Sequence, residues 1–486
     1  MFDRKSNSIL VVTSLLAGMF VYLLFVSTTR VSAIPAFARK YQTSCTTCHN
    51  NYPELNDFGE AFKKNGFKFP KDDEVFVKEP PVMLGAKAQK EAFPGAVYPG
   101  EIPGSIPIGF RYSGAFALNS KQPQAAGYVP RTDLFAPDTL ALIAAGSFGP
   151  NISFWIDDDV SAGGSGAEGG LGDGYLKFND LGHYLKLPKD SLNVRFGQFE
   201  LDLPFSQARS VYASEYDIYG QASVAGAWGP TATLSGEPTT NNPFVLGASQ
   251  RGIEIGGYPN DGNFSWSIAV TNGSNDGSAA RNSKDVYVRV SQKFNLERDS
   301  AARKEVQAAG PTGPRDHSSI RVGGFYYYGR NAQNIPGTDQ TYSFLGTIRE
   351  PFYRVGTDLR FKYRHMELFG LLMYGHDQNH LVDTESETIS AGRPVTFSGG
   401  FAGLNYWIYP WMIATLRYDA VNSPADFLNG VSKNGTRNRV SPGLQMLVRS
   451  NIKLVFEYQH HWEQPIPDSN LFFRPNTFVS GIDYSF

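Results

Sequence analysis

Residues 355 to 364 alternate with a period of two. Val355, Thr357, Leu359, Phe361 and Tyr363 fall on one face of an extended strand, and Gly356, Asp358, Arg360, Lys362 and Arg364 fall on the other. Val286, Val288 and Val290 keep the same spacing, as do Leu454, Phe456 and Tyr458. From about residue 105 such segments follow one another between Gly, Asn, Asp and Pro turns, with no helix-period stretch among them. The pattern predicts strands at 106–118, 138–148, 151–161, 173–181, 191–200, 251–259, 264–273, 285–294, 319–331, 351–364, 366–380, 395–410, 411–422, 438–451, 452–462 and 476–486. That makes sixteen, an even number as single-chain bacterial barrels require. The connections after strands 2, 6, 10, 12 and 14 are short, whereas all eight odd-numbered ones exceed ten residues. Transmembrane barrels alternate tight turns and long loops in this way. The connection after strand 4 is moderate, and the one after strand 8, residues 295 to 318, breaks the rule and reads as a polar insertion.

In a transmembrane barrel the neutral row faces lipid and the charged row faces the lumen. A secreted β-sandwich or propeller is the competing architecture. Residues 1 to 33 read as a secretory signal, with Arg4 and Lys5 before the apolar stretch Ile9 to Val26 and Val31-Ser32-Ala33 as the cleavage site. A retained anchor is the alternative, because that stretch reaches the lower limit for a spanning helix. No other apolar run is long enough, so a mature chain in a membrane would sit there as a barrel. The 50 Gly, 25 Tyr and 35 Phe suit tight turns and aromatic strands. With 44 Lys+Arg against 46 Asp+Glu, no basic excess points to nucleic acid.

Cys45 and Cys48 are the only cysteines, and they stand in Cys45-Thr46-Thr47-Cys48-His49, the spacing that attaches a c-type haem. Two thiols separated by two residues reach the two vinyl groups of one porphyrin, and the adjacent His49 is then the proximal iron ligand. A redox disulfide would not need the His, and a zinc site would need two more ligands where the next His is His183. Pro53 to Asn65 reads as one short helix stopped by Gly66, with Leu55, Phe58 and Phe62 as its apolar stripe. Phe37, Phe67 and Phe69 would join it in a dry wall around the porphyrin. Met83 is a candidate sixth ligand, set against a weak or vacant site or a distal His.

Ile34-Pro35-Ala36-Phe37-Ala38-Arg39-Lys40, the haem motif, Pro53-Glu54-Leu55, Phe58-Gly59, Ala61-Phe62-Lys63 and Asn65-Gly66-Phe67 resemble the N-terminal module of fused outer-membrane monohaem cytochrome-porins of the kind found in iron-oxidising bacteria. The match covers about 35 residues; the barrel matches in length, order and strand count. The resemblance implies a signal peptide over 1–33, a small α-helical monohaem cytochrome c module over 34–80, a linker over 81–104 and an all-β barrel of about sixteen antiparallel strands over 105–486. It also implies one covalent haem c, an outer-membrane location in a Gram-negative bacterium, and an extracellular donor such as Fe(II). A periplasmic c-type cytochrome or other carrier would accept the electrons. Such a protein would be an Fe(II) oxidase in effect. The alternative is a solute-diffusion porin whose haem module is a structural plug or a sensor of redox state or gases. A haem enzyme is a third option, disfavoured because residues 50 to 100 carry no distal catalytic set.

Three further expectations follow from the strand assignment. The loop from Leu201 to Gln250, the longest odd-numbered connection, should fold into the lumen, being rich in aromatics at Phe205 and Tyr212 to Tyr219, against the alternative of a large external loop. Asp157, Asp158 and Asp159 with His376, His380, His460 and His461 would lie at the external rim, where carboxylate and imidazole suit Fe(II), although polar decoration of the rim is the commoner explanation. Lys293, Arg360, Lys362, Arg364, Arg449 and Lys453 would face the periplasmic half of the lumen with few balancing acids, such as Asp358 and Asp483. Haem propionates held by Arg360, Lys362 and Arg364 would relieve that excess, against the alternative of an anion-attracting lumen.

Overall fold

The computed structural model describes residues 36 to 485 except 70, 72, 84–90, 96–100, 105–106, 121–130, 150, 163–167, 221–232, 235–236, 239–241, 243, 261, 274–283, 297–317, 337–343, 379, 384–387, 392–393, 423–436 and 463–473. The signal segment, most of the insertion at 295 to 318 and the terminal Phe486 lie outside the described residues.

Sixteen antiparallel strands close into one barrel. They are β1 (Ile108–Asn119), β2 (Thr132–Phe148), β3 (Ile152–Ala162), β4 (Glu168–Phe178), β5 (Asn193–Phe199), β6 (Gln250–Gly257), β7 (Phe264–Thr271) and β8 (Asp285–Asn295). The second half comprises β9 (Ser319–Pro336), β10 (Phe344–Tyr363), β11 (Met366–Asp377), β12 (Val395–Tyr409), β13 (Met412–Asn422), β14 (Arg437–Arg449), β15 (Ile452–His461) and β16 (Thr477–Ser485). Each strand pairs with its sequence neighbours, and β16 closes on β1 from Thr477 opposite Asn119 to Ser485 opposite Arg111.

All sixteen expected strands are present, but three start five or more residues earlier than expected: β2 at Thr132, β4 at Glu168 and β10 at Phe344. β2 runs through Pro137, which sits where the pairing with β1 shifts register between Ser113 and Ala115. A bulge leaves a residue outside the ladder, so the missing N–H costs nothing there. β10 runs through Pro351, beyond the last residue, Phe352, that pairs with β11. There β9 and β10 project as a two-stranded ribbon, and an edge position tolerates proline.

The barrel is apolar outside, and its inner face carries both the charged row and a cluster of buried rings. Val355, Leu359 and Tyr363 are more than 40 % exposed, whereas Arg354 is 0 %, Asp358 4 % and Lys362 8 %. Aromatic rings frame the outer band at both ends. Tyr409 and Trp411 stack at 5.4 Å at the short-turn end, and Tyr353 meets Tyr326 and Tyr374, each at 6.2 Å, near the other. Tyr353 and Tyr363 lie ten residues apart on the outer row of β10. Ten residues of antiparallel strand rise about 34 Å. A tilt of about 40° reduces this to about 26 Å along the axis, close to the apolar height of a membrane barrel, about 25 Å.

The lumen is filled. The loop between β5 and β6 folds inward, as expected, over its described residues. Its Leu201, Leu203, Phe205, Tyr216, Ile218 and Phe244 pack against the inward rings of Tyr287, Tyr327, Phe352, Phe369 and Phe401. Polar clamps hold it to the wall. Arg417 Nε meets Asp419 Oδ2 at 2.7 Å and its Nη2 donates to Ser214 O at 3.0 Å, while Glu457 accepts the backbone N–H groups of Ala213 and Ser214 at 2.9 and 3.0 Å. The segment from Ala36 to Phe69 sits beside it at the short-turn mouth.

Candidate functional site

That segment begins with helix α1 (Ala36–Tyr41) and a 3-10 turn over Cys45–Thr47, started by Ser44. His49–Asn51 then pairs with Glu54–Leu55. Helix α2 (Asp57–Lys64) follows, so the helix expected from Pro53 starts four residues later. Two interactions explain the delay. Asn56 caps α2, accepting Gly59 N–H at 2.8 Å, and the carbonyls of Pro53 and Glu54 are engaged by His49 Nδ1, each at 3.2 Å. Asn56 Nδ2 also donates to Thr47 O at 3.1 Å, tying the cysteine turn to the helix. A side chain at Gly59 would collide with the carbonyl of Cys48, so only glycine allows this approach. Gly66, at φ +69°, ends the helix in the left-handed region as expected.

The aromatic wall forms. Phe37 lies 5.0 Å from Phe62 and 5.2 Å from Phe67, and Tyr41 stacks on Phe69 at 4.2 Å. The barrel completes it, with Ala145 and Trp155 packed on the same cluster. The 34 residues from Ala36 to Phe69 have too little core of their own, and the wall supplies the rest.

Cys45 and Cys48 are thiols not joined to each other. Burial pushes the Cys45 thiol up and holds the His49 imidazole neutral, with its pKa lowered to about 4. Both partners of His49 Nδ1 are carbonyl oxygens, so Nδ1 must carry the proton and donate. The lone pair is then on Nε2, and backbone-anchored Nδ1–H is the usual arrangement for a ligating histidine. The donor set therefore fits a c-type haem: Cys45 and Cys48 would carry the thioethers and His49 Nε2 would ligate iron. Met83 lies in the short strand Val82–Met83 paired with Glu101–Ile102, and its side chain is outside the described residues.

Contacts between this plug and the barrel wall are specific. Arg39 Nη2 donates to Ile108 O at 2.5 Å, Asn51 Nδ2 to Gln445 Oε1 at 2.8 Å, Lys177 Nζ to Lys64 O at 2.9 Å and Lys453 Nζ to Tyr52 O at 2.8 Å. Asp57 pairs with Lys293 at 2.7 Å. Two polar cavities of about 80 Å³ each separate α2 from the inward loop, and Glu60 and Arg209 line both. Burial works against ionised Glu60, but Lys64, Lys63, Arg209 and Arg360 together bring its pKa down to about 2.

The crowded cationic patch expected in the lumen is corrected. Arg360 meets Glu367 of the adjacent strand at 3.1 Å and lies over Phe205 at 4.8 Å, while Lys293 is balanced by Asp57 of the plug. Lys453 meets Asp483 at 3.4 Å, and Asp358 is taken by Arg289 at 2.7 Å. Lys362 is buried in the wall. Arg364 sits in the tight turn at φ +52°, exposed and over the outward ring of Tyr363, so it does not join Arg360 and Lys362. Arg449 is also exposed at its turn and donates to Val448 O. Counting along strands missed acids delivered by a separate segment and by a cross-strand neighbour.

The expected external cation site does not assemble: no group of three metal-ligating side chains converges among the described residues. Asp157 accepts the backbone N–H of Asp173, His376 stacks on Tyr353 at 5.1 Å, His380 meets Glu350 at 3.0 Å and His461 meets Pro475 O at 2.8 Å. The seven residues are spread between the two faces of the wall.

No family model matches the chain, and no curated protein does. Solved structures similar to it include OmpF of Salmonella typhi in complex with daunomycin, 11 % identical over 78 % of this chain and 97 % of that one, with a TM-score of 0.47. The anion-selective porin from Comamonas acidovorans is 13 % identical over 78 % and 98 %, also at 0.47. The outer-membrane channel DcaP of Acinetobacter baumannii is 13 % identical over 78 % and 96 %, at 0.45.

Sequence reasoning did not foresee the roles of Asn51, Tyr52, Asp57 and Gln445, whereas Asp483 balances Lys453 as expected. The acids in the first turn of α2 were a visible signal, since Asp57 stands there with no cation of its own segment nearer in sequence than Lys63.

Proposed function

We propose that the chain is an outer-membrane electron conduit, carrying electrons between an extracellular donor such as Fe(II) and a periplasmic c-type cytochrome or similar carrier. One observation carries the reading: the segment bearing Cys45, Cys48 and His49 fills the short-turn mouth of a closed barrel whose lumen is otherwise packed by the β5–β6 loop. A diffusion porin needs a continuous aqueous path, and the interlocked rings of Phe205, Tyr216 and Phe401 oppose one. The outward apolar row and its two aromatic belts support a membrane setting, and the export signal supports the outer membrane.

A haem bound covalently here supplies a one-electron Fe(III)/Fe(II) couple. Cys45 and Cys48 anchor it, Nδ1–H of His49 fixes the ring orientation, and the wall formed by Phe37, Tyr41, Phe62, Phe67, Phe69 and Trp155 excludes water. The sixth ligand is the remaining assignment, with Met83 as the candidate; a lower potential in Met83→Ala would support it.

The test uses the full chain purified in detergent. Haem should remain attached after denaturation, and anaerobic mixing with Fe(II) should give the absorbance of reduced haem. Absence of covalent haem would end the reading. Covalent haem that Fe(II) leaves oxidised, in a barrel that conducts ions in planar bilayers, would favour the porin with a haem plug.

A further inference from the structure

We propose that the closure seam of the barrel, formed by Arg111 on β1, Asp483 on β16 and Lys453 on β15, positions His49 and sets the reduction potential of the haem held there. This rests on the haem reading above. The three residues come from three consecutive strands at the point where the barrel closes: Lys453 is directly opposite Asp483, and Ser485, two residues on, is opposite Arg111.

Their contacts converge on one peptide stretch. Arg111 grips Asp483 with both Nε and Nη2, at 3.2 and 2.9 Å. Lys453 bridges Asp483, at 3.4 Å, and the carbonyl of Tyr52, at 2.8 Å. The next two carbonyls, of Pro53 and Glu54, accept from His49 Nδ1. Three successive carbonyls are therefore shared between the wall and the imidazole, and fixing the first fixes the frame of the other two. The Tyr52 ring closes the circuit, lying 5.7 Å from the Arg111 guanidinium and meeting the His49 ring edge-on at 5.3 Å and 67°. A barrel that had not closed would present neither Asp483 beside Arg111 nor Lys453 beside Tyr52, so orientation of the iron ligand depends on closure.

The same groups carry charge. Lys453 and Asp483 are buried and Arg111 is half-buried, so their fields are weakly screened. Lys453 and Arg111 place positive charge beside the ligand loop and Asp483 negative charge, with Glu54 also acting on Lys453 and Asp159 on Arg111. Reduction adds an electron to the haem, and nearby positive charge favours the reduced form. Lys453→Gln should therefore lower the potential and Asp483→Asn should raise it. Each shift should be on the order of tenfold in the reduction equilibrium, about 59 mV for one electron. A purely structural role would not give opposite signs, because loosening the ligand loop moves both variants the same way.

The experiment is a redox titration of haem absorbance on full-length protein in detergent. Covalent haem content and the heat-modifiable migration of the folded barrel are measured on the same samples. Where a buried variant does not fold, Arg111→Gln, at the half-exposed member, should give the same downward shift as Lys453→Gln. Opposite shifts in folded, haem-loaded variants support the seam. Unchanged potentials, shifts of one sign in Lys453→Gln and Asp483→Asn, or an upward shift in Arg111→Gln overturn it while leaving the haem reading intact. A parent protein without covalent haem overturns both.

Discussion

Asn51 and Gln445 form a buried amide pair between plug and barrel, 2 % and 1 % exposed, with Asn51 Nδ2 donating to Gln445 Oε1 at 2.8 Å. Gln445→Leu removes the acceptor and strands a buried donor, which costs about 1–3 kcal/mol. If that cost falls on docking alone, the undocked population rises about 5- to 160-fold. Among the described residues Asn51 Oδ1 has no hydrogen-bond partner, so replacing both side chains removes an unsatisfied acceptor as well as the bond. The double variant Asn51→Leu/Gln445→Leu should thus return to within about threefold of the parent, since apolar replacement of both partners is close to neutral. Trypsin cleavage after Lys63 and Lys64, followed from the short-turn side, reports the open fraction when reclosing outpaces cleavage. Single variants additive in the double would show that the two amides do not interact, and the placement of the plug against β14 would be refuted.

Other perturbations address neighbouring parts of the account. Cys45→Ala or Cys48→Ala should each lose one thioether bond, and the double variant should carry no covalent haem, read by haem absorbance after denaturation. Arg417→Met removes the 2.7 Å partner of Asp419, which keeps Arg439 at 3.2 Å, and with it the donor to Ser214 O. At about 1.5–3 kcal/mol for a lost charged hydrogen bond, the inward loop should loosen, and planar-bilayer recordings should show ion conductance absent from the parent. Docking should also depend on acid. The pKa of Glu60 is depressed to about 2, so its contribution is complete above the ordinary value near 4.5 and fades as pH falls through about 2. Trypsin is inactive in that range, so pepsin accessibility of α2 should rise there in the parent and stay flat in Glu60→Gln.

The barrel was legible because its signal is repeated. Each strand needs only a two-residue period, and the outer row at Val355, Leu359 and Tyr363 is read without knowing any contact. Pro137 and Pro351 misled at two boundaries because a bulge and a free edge absorb a missing N–H, and both depend on the partner strand. The haem motif was legible as a local spacing. What surrounds it was not: Asn51 meets Gln445, and Tyr52 meets Lys453, across about four hundred positions of chain. Arg364 faced inward by parity, yet its turn reverses it over Tyr363. Parity holds within a strand and fails at the turn residue itself.

The central claim is best tested by sealing the haem-loaded full chain into liposomes that entrap an electron-accepting dye, with a membrane-impermeant reductant outside. Dye should be reduced at a rate that scales with protein, while an entrapped ion indicator stays silent. Ion leakage without dye reduction would contradict the account and identify the barrel as a diffusion channel.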